Sequence, residues 1–121
     1  MTSVPAPVEI RLRTQSRVLV VSFADGASFE LPAEYLRVHS PSAEVQGHGV
    51  EAGVLVTGKE RVGITAVEPI GHYAVRLLFD DGHNTGLYTW KYLLELGLNH
   101  EARWRAYLQK LEQAGVHRDA Q

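Results

Sequence analysis

Phe79-Asp80-Asp81-Gly82-His83-Asn84-Thr85-Gly86-Leu87-Tyr88-Thr89-Trp90-Lys91-Tyr92-Leu93 has a degraded copy earlier in the same chain, from Phe23 to Leu36. Both copies read Phe-x-Asp-Gly, then Leu, then Tyr-Leu. Phe23, Asp25, Gly26 and Leu31 match Phe79, Asp81, Gly82 and Leu87 at a constant offset, and one inserted residue brings Tyr35-Leu36 onto Tyr92-Leu93. The chain therefore reads as two related strand-turn-strand-helix units. Positions the copies share are expected to build the fold. Function is sought where they part, at His83, Asn84 and Trp90, opposite Ala27, Ser28 and Glu34 or its neighbour.

Outward from the two copies, Asp25-Gly26 and Asp81-Gly82 are reversal signals, because glycine accepts positive φ without steric cost and aspartate hydrogen-bonds nearby backbone. Return strands are expected at Ser28 to Leu31 and Asn84 to Tyr88. Pro32 suits the first turn of a helix running to about Val38, and Thr89 suits the N-cap of a helix from Trp90 to Leu96, with Gly97 as its left-handed stop. Asn99 is read as the N-cap of a third helix ending near Ala114, whose apolar stripe is Trp104, Tyr107, Leu108 and Leu111. Alternation and apolar runs predict strands at Glu9 to Arg13, Arg17 to Phe23, Val62 to Val67 and Tyr73 to Phe79, and a short one at Val54-Leu55-Val56. The fold class is α+β: an antiparallel, curved sheet built from two related units, plus a C-terminal helix. Residues 1–8 form a lead-in, 9–98 the domain, 99–115 the last helix and 116–121 a tail. The connection from His39 to Lys59 is long for a compact domain, which marks it as a functional candidate.

At 121 residues the chain makes one domain. A hydrophobic share of 45% and 21% charged residues place it among ordinary globular proteins, and a formal net charge of −2 gives no field to gather nucleic acid or anionic lipid. Arginine and lysine are scattered among acids, so neither nucleic acid nor membrane is an expected partner. Absent cysteine rules out disulfides, thiolate zinc sites and thiol nucleophiles. No stretch approaches the ~20 apolar residues that span a bilayer, and a cytoplasmic location is the expectation.

Six histidines, His39, His48, His72, His83, His100 and His117, raise metal binding first. None are paired at helical i, i+4 spacing, and only His39, His48 and His83 sit where a loop and a hairpin can bring them together. Gly47-His48-Gly49-Val50-Glu51-Ala52 matches a relaxed dinucleotide fingerprint without the strand and helix that make it work. Asp25, Asp80 and Asp81 are explained by turn chemistry, and Tyr88, Trp90 and Tyr92 by packing or a partner surface. No nucleophile elbow or phosphate loop is present, so the chain is read as a non-enzyme.

The string Phe79-Asp80-Asp81-Gly82-His83-x-x-Gly86-Leu87-Tyr88-x-Trp90-x-Tyr92-Leu93, with Leu31-Pro32-Ala33-Glu34-Tyr35-Leu36-Arg37-Val38 and Ser40-Pro41-Ser42, resembles the gamma-butyrobetaine hydroxylase-like N-terminal domain, long classed as a domain of unknown function. The resemblance covers about residues 9–98. In the carnitine-pathway hydroxylases the similar domain precedes an oxygenase barrel and holds a structural zinc through three cysteines after the first helix and one histidine of the late hairpin. Only the histidine carries over, as His83, while the cysteine positions fall on Ser40, Ser42 and Val45. The resemblance thus implies a fold that lost, or never had, its zinc, and no barrel is present to carry hydroxylation.

Similar domains also end some iron–sulfur carrier ATPases, which implies an accessory module docking on a cluster carrier or its client. The expectation is a non-enzymatic accessory or interaction domain, tied to metal or iron–sulfur handling, with His83, Asn84 and Trp90 as its partner surface. Its alternatives are a small protein binding zinc or iron through His83 with His39 and His48, and a small enzyme of unassigned reaction.

Overall fold

The computed structural model describes residues 4–41 and 55–118. Each repeated unit acquires one strand in front and becomes a three-stranded antiparallel meander ending in a helix. The first unit is β1 (Glu9–Arg13), β2 (Val18–Ser22), β3 (Ser28–Pro32) and α1 (Ala33–Val38). The second is β4 (Ile64–Ile70), β5 (Ala74–Phe79), β6 (Leu87–Thr89) and α2 (Trp90–Leu98), after which α3 (His100–Gln113) is appended. The α+β reading holds, with the antiparallel strands divided into two sheets, one per unit. The middle strands β2 and β5 carry the apolar runs, since they are flanked by strands and covered on their faces. Leu19, Val21, Leu31, Leu77, Leu93 and Leu96 are fully buried between the sheets and the helices.

The shared Phe-x-Asp-Gly signal folds the same way twice. In the first hairpin Phe23 N donates to Ala27 O, Gly26 N to Phe23 O, and Ala27 N to Asp25 Oδ1. In the second, Phe79 N donates to His83 O, Gly82 N to Phe79 O, and His83 N to Asp81 Oδ1. Gly26 and Gly82 take φ of 96° and 92°, a conformation that a side chain would strain.

The helices repeat the relation at longer range. Tyr35 of α1 donates its hydroxyl to Leu96 O near the end of α2, and Tyr92 of α2 donates its hydroxyl to His39 O at the end of α1. Tyr92 and Leu96 stand at the same sequence distance from Tyr35 and His39, so the two bonds are one contact made twice about a pseudo-two-fold axis. Each fills one of the carbonyls that a helix C-terminus leaves without an intrahelical donor.

Four local expectations are corrected. Gly97 is helical inside α2 rather than its left-handed stop. Its role is close approach, because a Cβ there would lie 2.4 Å from Cγ of Phe29. Asn99 does not cap α3 with its side chain; its Nδ2 donates backward to Glu95 O. Pro32 ends β3 and precedes α1 in extended geometry instead of opening the helix. Leu55 and Val56 form no strand, and Val56 O instead accepts the Tyr107 hydroxyl, while Val54 lies outside the described residues. β4 also runs past Val67 through Pro69, which is tolerated because β4 pairs only with β5 and its other edge needs no ladder donor.

Candidate functional site

The end of α1 and the β5–β6 hairpin meet in a seam of hydrogen bonds. Tyr88, at the centre of β6 and fully buried, donates its hydroxyl to Leu36 O at 2.6 Å. His39 Nδ1 lies 2.9 Å from Tyr35 O, and since a carbonyl only accepts, that nitrogen carries the proton. Ser40, 3% exposed, places its Oγ 2.9 Å from His83 Nε2. Burial pushes the Tyr88 phenol up, against the opposing effect of the neighbouring Ser40 hydroxyl. The seam is tight enough to require Gly86, where a Cβ would sit 2.5 Å from Ser40 Oγ.

Asp81 ties the hairpin tip to two further segments. Its Oδ1 accepts from His83 N, while Oδ2 accepts from Arg37 Nε at 2.9 Å and Lys59 Nζ at 2.6 Å. Burial alone would push this carboxyl up, but the Lys59 bond, the His83 N–H and Arg37 outweigh it and hold the group at about 2. Arg37 also lies 6.0 Å over the Phe79 ring, and its buried Nη1 has no hydrogen-bond partner among the described residues.

The candidate residues do not form one patch. His83 and Asn84 lie at the hairpin tip, Asn84 exposed, beside Phe79 at one end of β5. Trp90 lies at the other end, where its N donates to Tyr73 O and its Nε1 to His72 O. Tyr73 to Phe79 at about 3.3 Å per residue separates them by about 20 Å. The sequence brought Trp90 close to His83, but the hairpin return carries it away.

His39 and His83 also face different surroundings. The His39 ring packs 4.7 Å from Tyr35 and 6.4 Å from Tyr107, and burial, followed by the charges of Arg103, Lys110 and His100, lowers its pKa against the pull of the Tyr35 carbonyl bond. His48, Ser42 and Val45 lie outside the described residues. Among the described residues no three histidine, aspartate or glutamate side chains gather in a group fit for a metal ion. The donors at the implied zinc position are a buried serine hydroxyl and an imidazole nitrogen already hydrogen-bonded to it, a set that does not fit a thiolate zinc centre.

Arg37, Lys59 and Tyr88 are the members of the seam that sequence reasoning passed over as site residues. The copies offered one signal for Tyr88, since the first unit has Pro32 where the second has Tyr88. Arg37 and Lys59 left none, because nothing local says that distant cations converge on a turn aspartate.

A surface groove along α3 is lined by His100, Glu101, Trp104, Arg105 and Leu108. A second runs under the returning tail from Leu108 to Arg118. Neither adjoins the seam. Arg118 folds back over Trp104, 5.2 Å from the ring, and pairs with Glu34 of α1. No helix among the described residues is long and apolar enough to cross a membrane.

The architecture has solved counterparts. A protein determined in solution by NMR is 50% identical, matching over 97% of this chain and 92% of its own with a TM-score of 0.84. Another NMR structure is 49% identical over 98% of this chain and 90% of its own, with a TM-score of 0.81. A 1.93 Å crystal structure from Acidithiobacillus ferrooxidans, described as a protein of unknown function in the DUF971 family, is 47% identical over 78% of this chain and 98% of its own, with a TM-score of 0.65. Comparison with curated proteins returned no match. The family model described as gamma-butyrobetaine hydroxylase-like, N-terminal, matches residues 10–94, which takes in both meanders, most of α2 and the whole described part of the seam. The chain belongs to the gamma-butyrobetaine hydroxylase-like N-terminal domain family.

Proposed function

We propose that this domain is a non-enzymatic accessory module that docks on another protein through the β5–β6 hairpin and the adjoining end of α1. One observation carries the reading: among the described residues, the side chains of Asp81, Ser40 and His83 are engaged with neighbouring groups of the same seam. Asp81 is held by Arg37, Lys59 and the His83 N–H, and the Ser40 hydroxyl is buried against His83. Catalysis needs a reacting atom that substrate can reach, whereas docking needs a surface fixed in shape before the partner arrives. The exposed side chains of Asn84 and Thr85 stand on that fixed base. The family resemblance points to an iron–sulfur carrier or its client as the partner, and a cytoplasmic location belongs to the same proposal.

Metal binding through His83 with His39 or His48 is supported less. His83 Nε2 is engaged with Ser40, and the His39 ring packs among aromatics. A small enzyme is supported least, since the grooves on α3 bring together no nucleophile and base.

A photo-cross-linking amino acid in place of Asn84 tests the face in cells producing the protein. The proposal expects a discrete adduct from position 84 and none from Gln109, which is exposed on α3. Adducts from 109 with none from 84 would move the docking face to α3.

A further inference from the structure

The two halves of the molecule differ most at one equivalent place. At both seams a helix end approaches the opposite unit so closely that one partner must be glycine. On the first unit's side, Gly97 of α2 meets the Phe29 ring of β3, an apolar closure. On the second unit's side, the residue after α1 that corresponds to Gly97 is Ser40, and it meets Gly86, His83 and Tyr88, a polar closure.

The polar closure joins the hairpin to the end of α1 at two points. Tyr88 spends its hydroxyl proton on Leu36 O. Ser40 Oγ lies 2.9 Å from His83 Nε2, a bond that joins the hairpin to the residue after α1. Two bonds thus hold this closure, His83 with Ser40 and Tyr88 with the α1 carbonyl of Leu36.

We propose that His83, Ser40 and Tyr88 form a metal-free clasp, which locks the β5–β6 hairpin to the C-terminus of α1 so that this chain holds its hairpin without an ion. The His83 nitrogen that faces the seam is engaged with the Ser40 hydroxyl. Gly86 leaves room for the hydroxyl and little else.

A mutational cycle tests the clasp through its stability and through the glycine beneath it. Ser40→Ala and His83→Ala should each raise the unfolding equilibrium constant by roughly tenfold, the usual scale for one buried hydrogen bond. The double variant should be no worse than the worse single one, because both remove the same bond. Gly86→Ala should be more damaging in the wild type than in the Ser40→Ala background, where the oxygen 2.5 Å from the new Cβ is gone. Unfolding of the wild type should not move on adding a chelator or one equivalent of zinc. Additive losses in the double variant, an equal Gly86→Ala penalty in both backgrounds, or a wild type stabilised by zinc and weakened by chelator would each overturn the proposal. Should Gly86→Ala fail to fold in the wild type, recovery of folding in the Ser40→Ala background still decides in its favour, and failure in both decides against it.

Discussion

Asp81 draws donors from three places onto one turn carboxylate: Arg37 at the end of α1, Lys59 ahead of β4, and the backbone of His83. Its folded pKa of about 2 lies below the ordinary 3.8, so the ionised form is the stabilised one. The contribution is full above pH 4 and is lost as pH falls through 2. Screening by solvent at this partly exposed site reduces it to about 1–2 kcal/mol. Asp81→Asn should therefore lower stability by about that amount at neutral pH, and its acid unfolding curve should be flatter than that of the wild type between pH 4 and 2. Chemical denaturation across that range measures both. A variant with the wild-type acid limb would mean that Arg37 and Lys59 do not act on this carboxylate. The same residue shows what sequence can and cannot reveal. Its turn is local chemistry, legible from Asp-Gly, whereas its two cations arrive from segments with no marker of their destination.

Among the elements, α1 and α2 are joined by a contact made twice, and each copy should cost alike when cut. Tyr35→Phe and Tyr92→Phe each remove one hydroxyl and leave a helix-end carbonyl unfilled, which costs about 1 kcal/mol, or somewhat more where the carbonyl is buried. Burial pushes the Tyr35 phenol up to about 12 and raises that of Tyr92, so both hydroxyls stay protonated donors through neutral pH. Thermal unfolding of the two variants should give shifts of similar size, and a near-silent Tyr92→Phe beside a damaging Tyr35→Phe would break the pseudo-symmetry. Strands and hairpins were legible because β2, β5 and the two Asp-Gly turns carry their own pattern. The helix boundary at Gly97 was misread because a glycine near a helix end suggests a stop. Its actual task, admitting the Phe29 ring, belongs to packing between elements and leaves no local trace. Asn99 stands ahead of the last helix as the sequence indicates, but its amide bonds a preceding carbonyl rather than the helix ahead.

At the scale of the whole molecule, two copies of one unit close on each other, one seam apolar at Gly97 and Phe29 and the other polar at Ser40 and His83. The repeat was visible in the sequence, and so was its divergence at His83 and Asn84. The pairing of His83 with Ser40 was not, because the residues are joined only when the second hairpin folds onto the first helix. Trp90 shows the opposite error, as nearness in sequence placed it with His83 while β5 holds them at opposite ends. The central claim is that this seam is a rigid protein-docking base held by hydrogen bonds rather than an ion site. Elemental analysis of the untagged protein beside His83→Ala, after exposure to zinc and to ferrous iron under anaerobic conditions and gel filtration, tests it most directly. The account predicts far less than one equivalent of either metal in both proteins. One equivalent in the wild type and none in His83→Ala would contradict it and make His83 a ligand.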